Sequence, residues 1–299
     1  QADDQLALGL AGAALAGDYT LSDDVYASPP GSGQPEGATV RADRLLYPRM
    51  AVGRLIERPR DMTRSIDAFL AGDGTTNLSR AVLGGYDFMA DGLASVDGML
   101  AQCGLPEAKR GRLFTQPEWR AADLEQQLFS SPTELIFLGM HANHYLQETA
   151  YRPESLSAQQ VEAAGADLSR ATVYGLACHG GLNVPDTAVA PGGPQADFAA
   201  AWLRRGANWI GSTGWAYGLE GGVGYGEELM AEFARGLLGG GGSSVGDALL
   251  AQLLLNVVDV GLVLVDARDS LIEEGAGGVD GTLAQCIVGR DAVGRVIDG

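Results

Sequence analysis

The sequence predicts an α/β fold with a mainly parallel central sheet and helices on both faces. Two observations carry this. Strand-like and helix-like segments alternate along most of the chain, which is the pattern of strands joined by crossover helices. In addition, Glu134–Gly139 (ELIFLG) and Thr172–Ala177 (TVYGLA) are short, nearly continuous apolar runs. Central parallel strands buried on both faces look like this, whereas half-exposed strands alternate.

The elements follow in order. Leu6–Ala16 (LALGLAGAALA) is an apolar strand or helix preceded by Asp3 and Asp4, where a signal peptide needs positive charge. Residues 18–43, rich in Asp, Ser, Pro and Gly, read as a long surface loop. A short strand is expected over Met50–Leu55 and an amphipathic helix over Arg60–Ala71, with Met62, Ile66 and Phe69 on its apolar face. Ala81–Gly84 reads as a buried strand, Leu93–Cys103 as a helix, Leu113 as a strand position and Ala121–Phe129 as a helix. Beyond the two apolar runs come a helix over Asp197–Arg205, a strand over Trp209–Gly211 and a helix over Glu227–Leu238. After a flexible glycine run, Ser244 is placed to cap a helix through Leu255. No repeat or composition break divides the chain. The expectation is a single domain over 1–299 that lacks upstream sequence.

Charge narrows the partners. The 299 residues carry 38 acidic against 20 basic side chains, a formal net charge of −18, and Lys109 is the sole lysine. Nucleic acid and anionic membranes need a basic footprint, so neither is an expected partner. No apolar run reaches the roughly 20 residues that span a bilayer. Cys103, Cys178 and Cys286 are too few and scattered for a disulfide framework, although a Cys103–Cys286 bridge stays open.

Chemistry concentrates in two places. All three histidines, His141, His144 and His179, lie in LIFLGMHANHYLQE and TVYGLACHGGLNVPD. In each motif the reactive residue follows a buried strand, and sites in open α/β sheets form at the carboxyl ends of strands. A cysteine nucleophile needs a base to take its proton or lower its pKa, and Cys178 with His141 meets that need. Gly180 and Gly181 would let a substrate backbone approach. From the residues alone, a catalytic pair and two ordinary core residues are both open readings. A zinc set of His141, His144, His179 and Asp186 is a lesser one. GGVGYGEE superficially resembles a dinucleotide loop but lacks the acidic residue expected after a paired strand.

The two motifs resemble those of the gingipain branch of the caspase-like (clan CD) cysteine peptidases. There a strand ends in Gly-His-Gly or a variant and a second ends in Ala-Cys or Gly-Cys. The likeness extends from about Tyr47 to Leu255 through YPRMAVGRLIERPRDMTRSIDAFLA, FAAAWLRRGANWIGSTGWAYG and SVGDALLAQLLL. Met140 and Ala142 depart from the family's flanking glycines, and only CIVGRDAV roughly corresponds to its closing strand.

The resemblance implies a caspase-like three-layer α/β/α sandwich and a cysteine endopeptidase. Cys178 would be the nucleophile and His141 the general base and acid, with the N–H groups of Cys178 and Ala142 holding the oxyanion. Basic P1 specificity would rest on a carboxylate at the floor of the S1 pocket, Asp91 first, then Asp87, with Asp97 in the same stretch. Trp215 and Tyr217 would wall the cleft, His179 would tune the site or line it, and His144 would be an exposed bystander. The implied partner is a protein or peptide substrate. No cofactor is required, although the family and the acidic loops are compatible with calcium. A secreted or cell-envelope location is implied by resemblance only. The rival readings are a partner-activated CHAT- or clostripain-type protease and a catalytically silent scaffold domain.

Overall fold

A computed structural model describes residues 50–56, 58–71, 77–184, 196–239 and 244–252. The expected elements at 6–16 and 18–43, the end of the last helix, Asp186 and Cys286 lie outside them. Five strands form one parallel sheet: β1 (Ala81–Gly85), β2 (Arg110–Arg112), β3 (Leu135–Gly139), β6 (Thr172–Leu176) and β7 (Asn208–Gly211). Their spatial order is β2-β1-β3-β6-β7. The remaining two, β4 (Leu146–Glu148) and β5 (Ser155–Ser157), make a small antiparallel pair between β3 and β6.

Successive residues of a strand point to opposite faces, so each central strand feeds two cores. Val82, Ile136, Leu138, Val173 and Trp209 face one side, against α3 (Ala121–Phe129), α4 (Ala158–Ala163) and α5 (Phe198–Arg204). Leu83, Leu135, Phe137, Tyr174 and Ile210 face the other, against α2 (Ala90–Gln102), α6 (Gly226–Leu238) and a helix over 245–252. Fully burying one such Leu, Phe or Ile contributes about 1.5–3 kcal/mol, so the double-sided burial is what makes the apolar runs strands. Ser244 caps the last helix, its Oγ accepting from the Asp247 N–H at 3.0 Å.

Three expectations fail. Residues 50–55 form no strand, and strand pairing falls at Arg110–Arg112 while Leu113 opens a 3₁₀ turn. On α1 (Pro59–Ala71) the apolar stripe is not the buried one: Ile66 and Phe69 are exposed. Asp61 is buried instead, within 3.4 Å of the Arg204 guanidinium on α5 and 3.1 Å of Arg58. Arg64 and Ser65 complete the docking by donating to the carbonyls of Arg204 and Leu203, at 2.5 and 3.4 Å. The C-terminal carbonyls of α5 and its buried arginine call for polar partners, and α1 presents its polar side to them. No described helix is long and apolar enough to cross a membrane.

Candidate active site

The chain moves outward from β1 in both directions, to β2 on one side and to β3, β6 and β7 on the other. The crevice opens where strand order reverses, at the carboxyl ends of β1 and β3. Parallel pairing aligns Gly139 of β3 with Leu176 of β6, and the Met140 N–H donates to the Leu176 carbonyl at 3.2 Å. His141 and Cys178 each follow two residues later. The imidazole and the thiol therefore leave adjacent strands at the same register position.

His141 is half-buried between two rings from the end of β1. Its ring centroid lies 5.9 Å from Tyr86 and 5.8 Å from Phe88, the latter edge-on. The residue between those aromatics, Asp87, has φ 58°, a conformation that is uncommon outside glycine. Beyond His141 the chain turns back, and the Asn143 and Glu148 N–H groups donate to the carbonyls of Leu146 and His141 at 2.9 Å. Both bonds flank the Ala142–Gln147 pair, so the Ala142 N–H points off the opposite edge of its strand.

Cys178 is half-buried, and its sulfur lies 3.5 Å from the Ala216 N–H and 3.6 Å from the Ala216 carbonyl. Burial pushes the thiol pKa up, against the lowering effect of the Ala216 contact. Burial thus favours the neutral form of the thiol. The turn that follows is clamped to β7. The His179 and Gly181 N–H groups donate to the Gly214 and Ser212 carbonyls, both at 2.8 Å. The Trp209 indole donates to the Gly180 carbonyl at 3.0 Å. A Cβ on Gly181 would lie 2.2 Å from the Gly211 carbonyl oxygen. Close backbone packing, not substrate approach, requires that glycine.

His144 departs from expectation. It is buried, its carbonyl accepting from the Phe198 N–H at 2.9 Å. Its pKa is pushed down to about 4, by burial first and then by the nearby His179. It is no exposed bystander, because the chain reversal after His141 carries it beneath the surface. His179 is also buried, at φ 57°, with Nδ1 3.0 Å from the Thr213 carbonyl and its ring 4.8 Å from Trp215. It packs the turn after Cys178 against β7. Trp215 is 47% exposed and Tyr217 half-buried, on the loop whose Ala216 touches the sulfur.

Asp87 and Asp91 are exposed, so neither forms the floor of a pocket. Asp87 lies 4.0 Å from the Arg152 guanidinium, and Asp97 is tied to Arg110 at 2.6 Å on a later turn of α2. Two carboxylates at this edge are buried, Asp197 capping α5 and Glu227, the latter with 0% exposure on the first turn of α6. Glu227 accepts from the Leu219 N–H at 2.9 Å, and burial pushes its pKa up. The pattern GYGEEL read only as a helix start, since nothing local marks which glutamate turns inward.

Among the described residues no three His, Cys, Asp or Glu side chains are grouped to hold a metal ion. Cys103 is exposed, its thiol 3.3 Å from the Leu238 carbonyl.

No family model and no curated protein matches the sequence. Solved structures do. The crystal structure of the Arg-specific cysteine proteinase gingipain R superposes with a TM-score of 0.58 at 13% identity, covering 93% of this chain and 57% of that one. A complex of the pro- and mature domains of Porphyromonas gingivalis RgpB gives 0.54 at 15%, covering 77% and 54%. The chain has the caspase-like fold. It spans little more than half the length of either neighbour's chain. In this fold the carboxyl edge of β1, β3 and β6 is the edge just described, with the neutral thiol at one strand end and the imidazole at the next.

Proposed function

We propose that this domain is a cysteine endopeptidase working through a Cys178–His141 dyad. The observation that carries the reading is the shared register: both residues stand two positions past the paired Gly139 and Leu176 of neighbouring strands. His141 takes the thiol proton as Sγ attacks the peptide carbonyl carbon. The N–H groups of Cys178 and Ala142 receive the oxyanion. The imidazolium then protonates the leaving amine as the C–N bond breaks, leaving a thioester. His141 next removes a proton from water, which attacks the thioester and releases the acid and the thiol. Because burial raises the thiol pKa, the proton transfer belongs to the attack and not to a standing ion pair.

A basic P1 residue is the preference we propose. It rests on the likeness to an Arg-specific proteinase. A second reading, a domain that is silent or needs a partner or processing for activity, draws support from the thiol's tie to Ala216. An acyloxymethyl ketone probe should label Cys178, and His141→Ala should abolish that labelling. Labelling that survives His141→Ala would sink the dyad. A peptide panel with Arg, Lys, Asp and Leu at P1 should favour Arg or Lys. Turnover of none of them by the folded protein would favour the second reading.

A further inference from the structure

Phe88 lies between the two halves of the candidate site. On one side its ring meets the His141 imidazole edge-on, with centroids 5.8 Å apart. On the other it fills the space where Gly218 has no side chain, since a Cβ there would lie 2.3 and 2.4 Å from two Phe88 ring carbons. Gly218 is two residues from Ala216, whose N–H lies 3.5 Å from the Cys178 sulfur. The next residue, Leu219, is held from behind by buried Glu227 at 2.9 Å. The loop cannot retreat from Phe88 without breaking that bond, and an aromatic ring is too stiff to absorb a shift as a flexible chain would. Asp87, at φ 58°, sits immediately before Phe88 and sets the unusual local path that delivers the ring.

We infer that Phe88 is a positioning residue that couples the His141 imidazole to the loop seating the Cys178 thiol, so that displacing the ring displaces both. This rests on the dyad reading above. A ring serving only as core filling would change stability without changing how the thiol responds to pH.

The test uses Phe88→Ala, the milder Phe88→Leu, Gly218→Ala, and the Phe88→Ala/Gly218→Ala double variant of the full chain, each checked by circular dichroism. Iodoacetamide alkylation of the Cys178 peptide is followed against pH, alongside kcat and KM on a fluorogenic peptide. Phe88→Ala should lower kcat about ten- to a hundredfold with a smaller change in KM, the scale expected for a small misplacement of reacting groups. It should also move the pH midpoint of alkylation, with Phe88→Leu intermediate. Gly218→Ala should be impaired alone by collision with the ring. In the Phe88→Ala background, Gly218→Ala should cost nothing further, because the collision is gone.

Multiplying effects in the double variant, or Phe88→Leu and Phe88→Ala profiles that superimpose on the unmodified protein, would overturn the inference. His141→Ala separates the two failures. If it leaves alkylation unchanged, the dyad falls and this inference with it. If it flattens the pH profile while the Phe88 variants do not, Phe88 alone is wrongly assigned.

Discussion

The two ends of the central sheet differ most in their backbone. At the amino end of β3, Glu134 is buried but fully engaged. It accepts from the Ser79 N–H and hydroxyl and the Arg80 N–H at 3.1, 2.8 and 3.0 Å, with Arg170 at 3.8 Å. At the carboxyl end, His144 Nδ1 and His179 Nε2 are buried without a hydrogen bond. The three described non-glycine residues with positive φ, Asp87, His179 and Tyr225, also lie at that end. Strain and unpaired polar groups each cost about 1–3 kcal/mol, and a fold keeps them where rearranging them would cost more in function. Unpaired buried atoms occur at both ends, Trp202 Nε1 and Arg205 Nε lying towards the amino one, so it is the positive-φ backbone that sets the carboxyl end apart.

Substitutions can break that contrast, beginning with the largest effect. Cys178→Ala should remove hydrolysis entirely, and His141→Ala should lower kcat by about 10²–10⁴, each with melting temperature little changed. If either unfolded the protein instead, the carboxyl end would be structural after all. Acid should act next, through His144. Its folded pKa is depressed to about 4, so its contribution is present above the unfolded value near 6.5 and is lost as pH falls through the folded one. That window is worth up to about 3 kcal/mol. A His144→Gln variant should lose less stability between pH 7 and 4, as read by denaturant midpoints.

Glu134→Ala should cost roughly 2 kcal/mol, by stranding the Ser79 and Arg80 donors, while kcat per folded molecule stays unchanged. A fall in kcat would mean that the ends are coupled. Smallest is Glu227. Its pKa is raised by burial, so its stabilising contribution is complete below the unfolded value and is lost as pH rises through the folded one. Glu227→Gln should therefore gain stability relative to the unmodified protein on going from pH 5 to 8, measured by thermal unfolding at each pH.

Much of this is legible in the sequence. Leu135–Gly139 and Thr172–Leu176 announced themselves because strands buried on both faces have no polar positions to interrupt them. Their polar continuations marked the site end. What misled was the helical stripe of Met62, Ile66 and Phe69: amphipathicity shows that a face is distinct, not which face a neighbour will cover. Arg204 decided that for α1 by requiring Asp61. Nothing local marks His144 as buried, because the reversal that buries it depends on pairing with β5 and on α5.

The sequence by itself determined the α/β class, the central strands β1, β3, β6 and β7 with most of their flanking helices, and that Cys178 and His141 each end a buried strand. These follow from short-range patterns of apolar residues that local chain geometry can read. Only the tertiary structure decided that those strands are neighbours in matching register, that Phe88 stands between the histidine and the loop at the sulfur, and that Glu227 turns inward while Asp87 and Asp91 face out. Such facts depend on contacts between residues far apart in the chain, where the burial of one side chain is set by the shape of another.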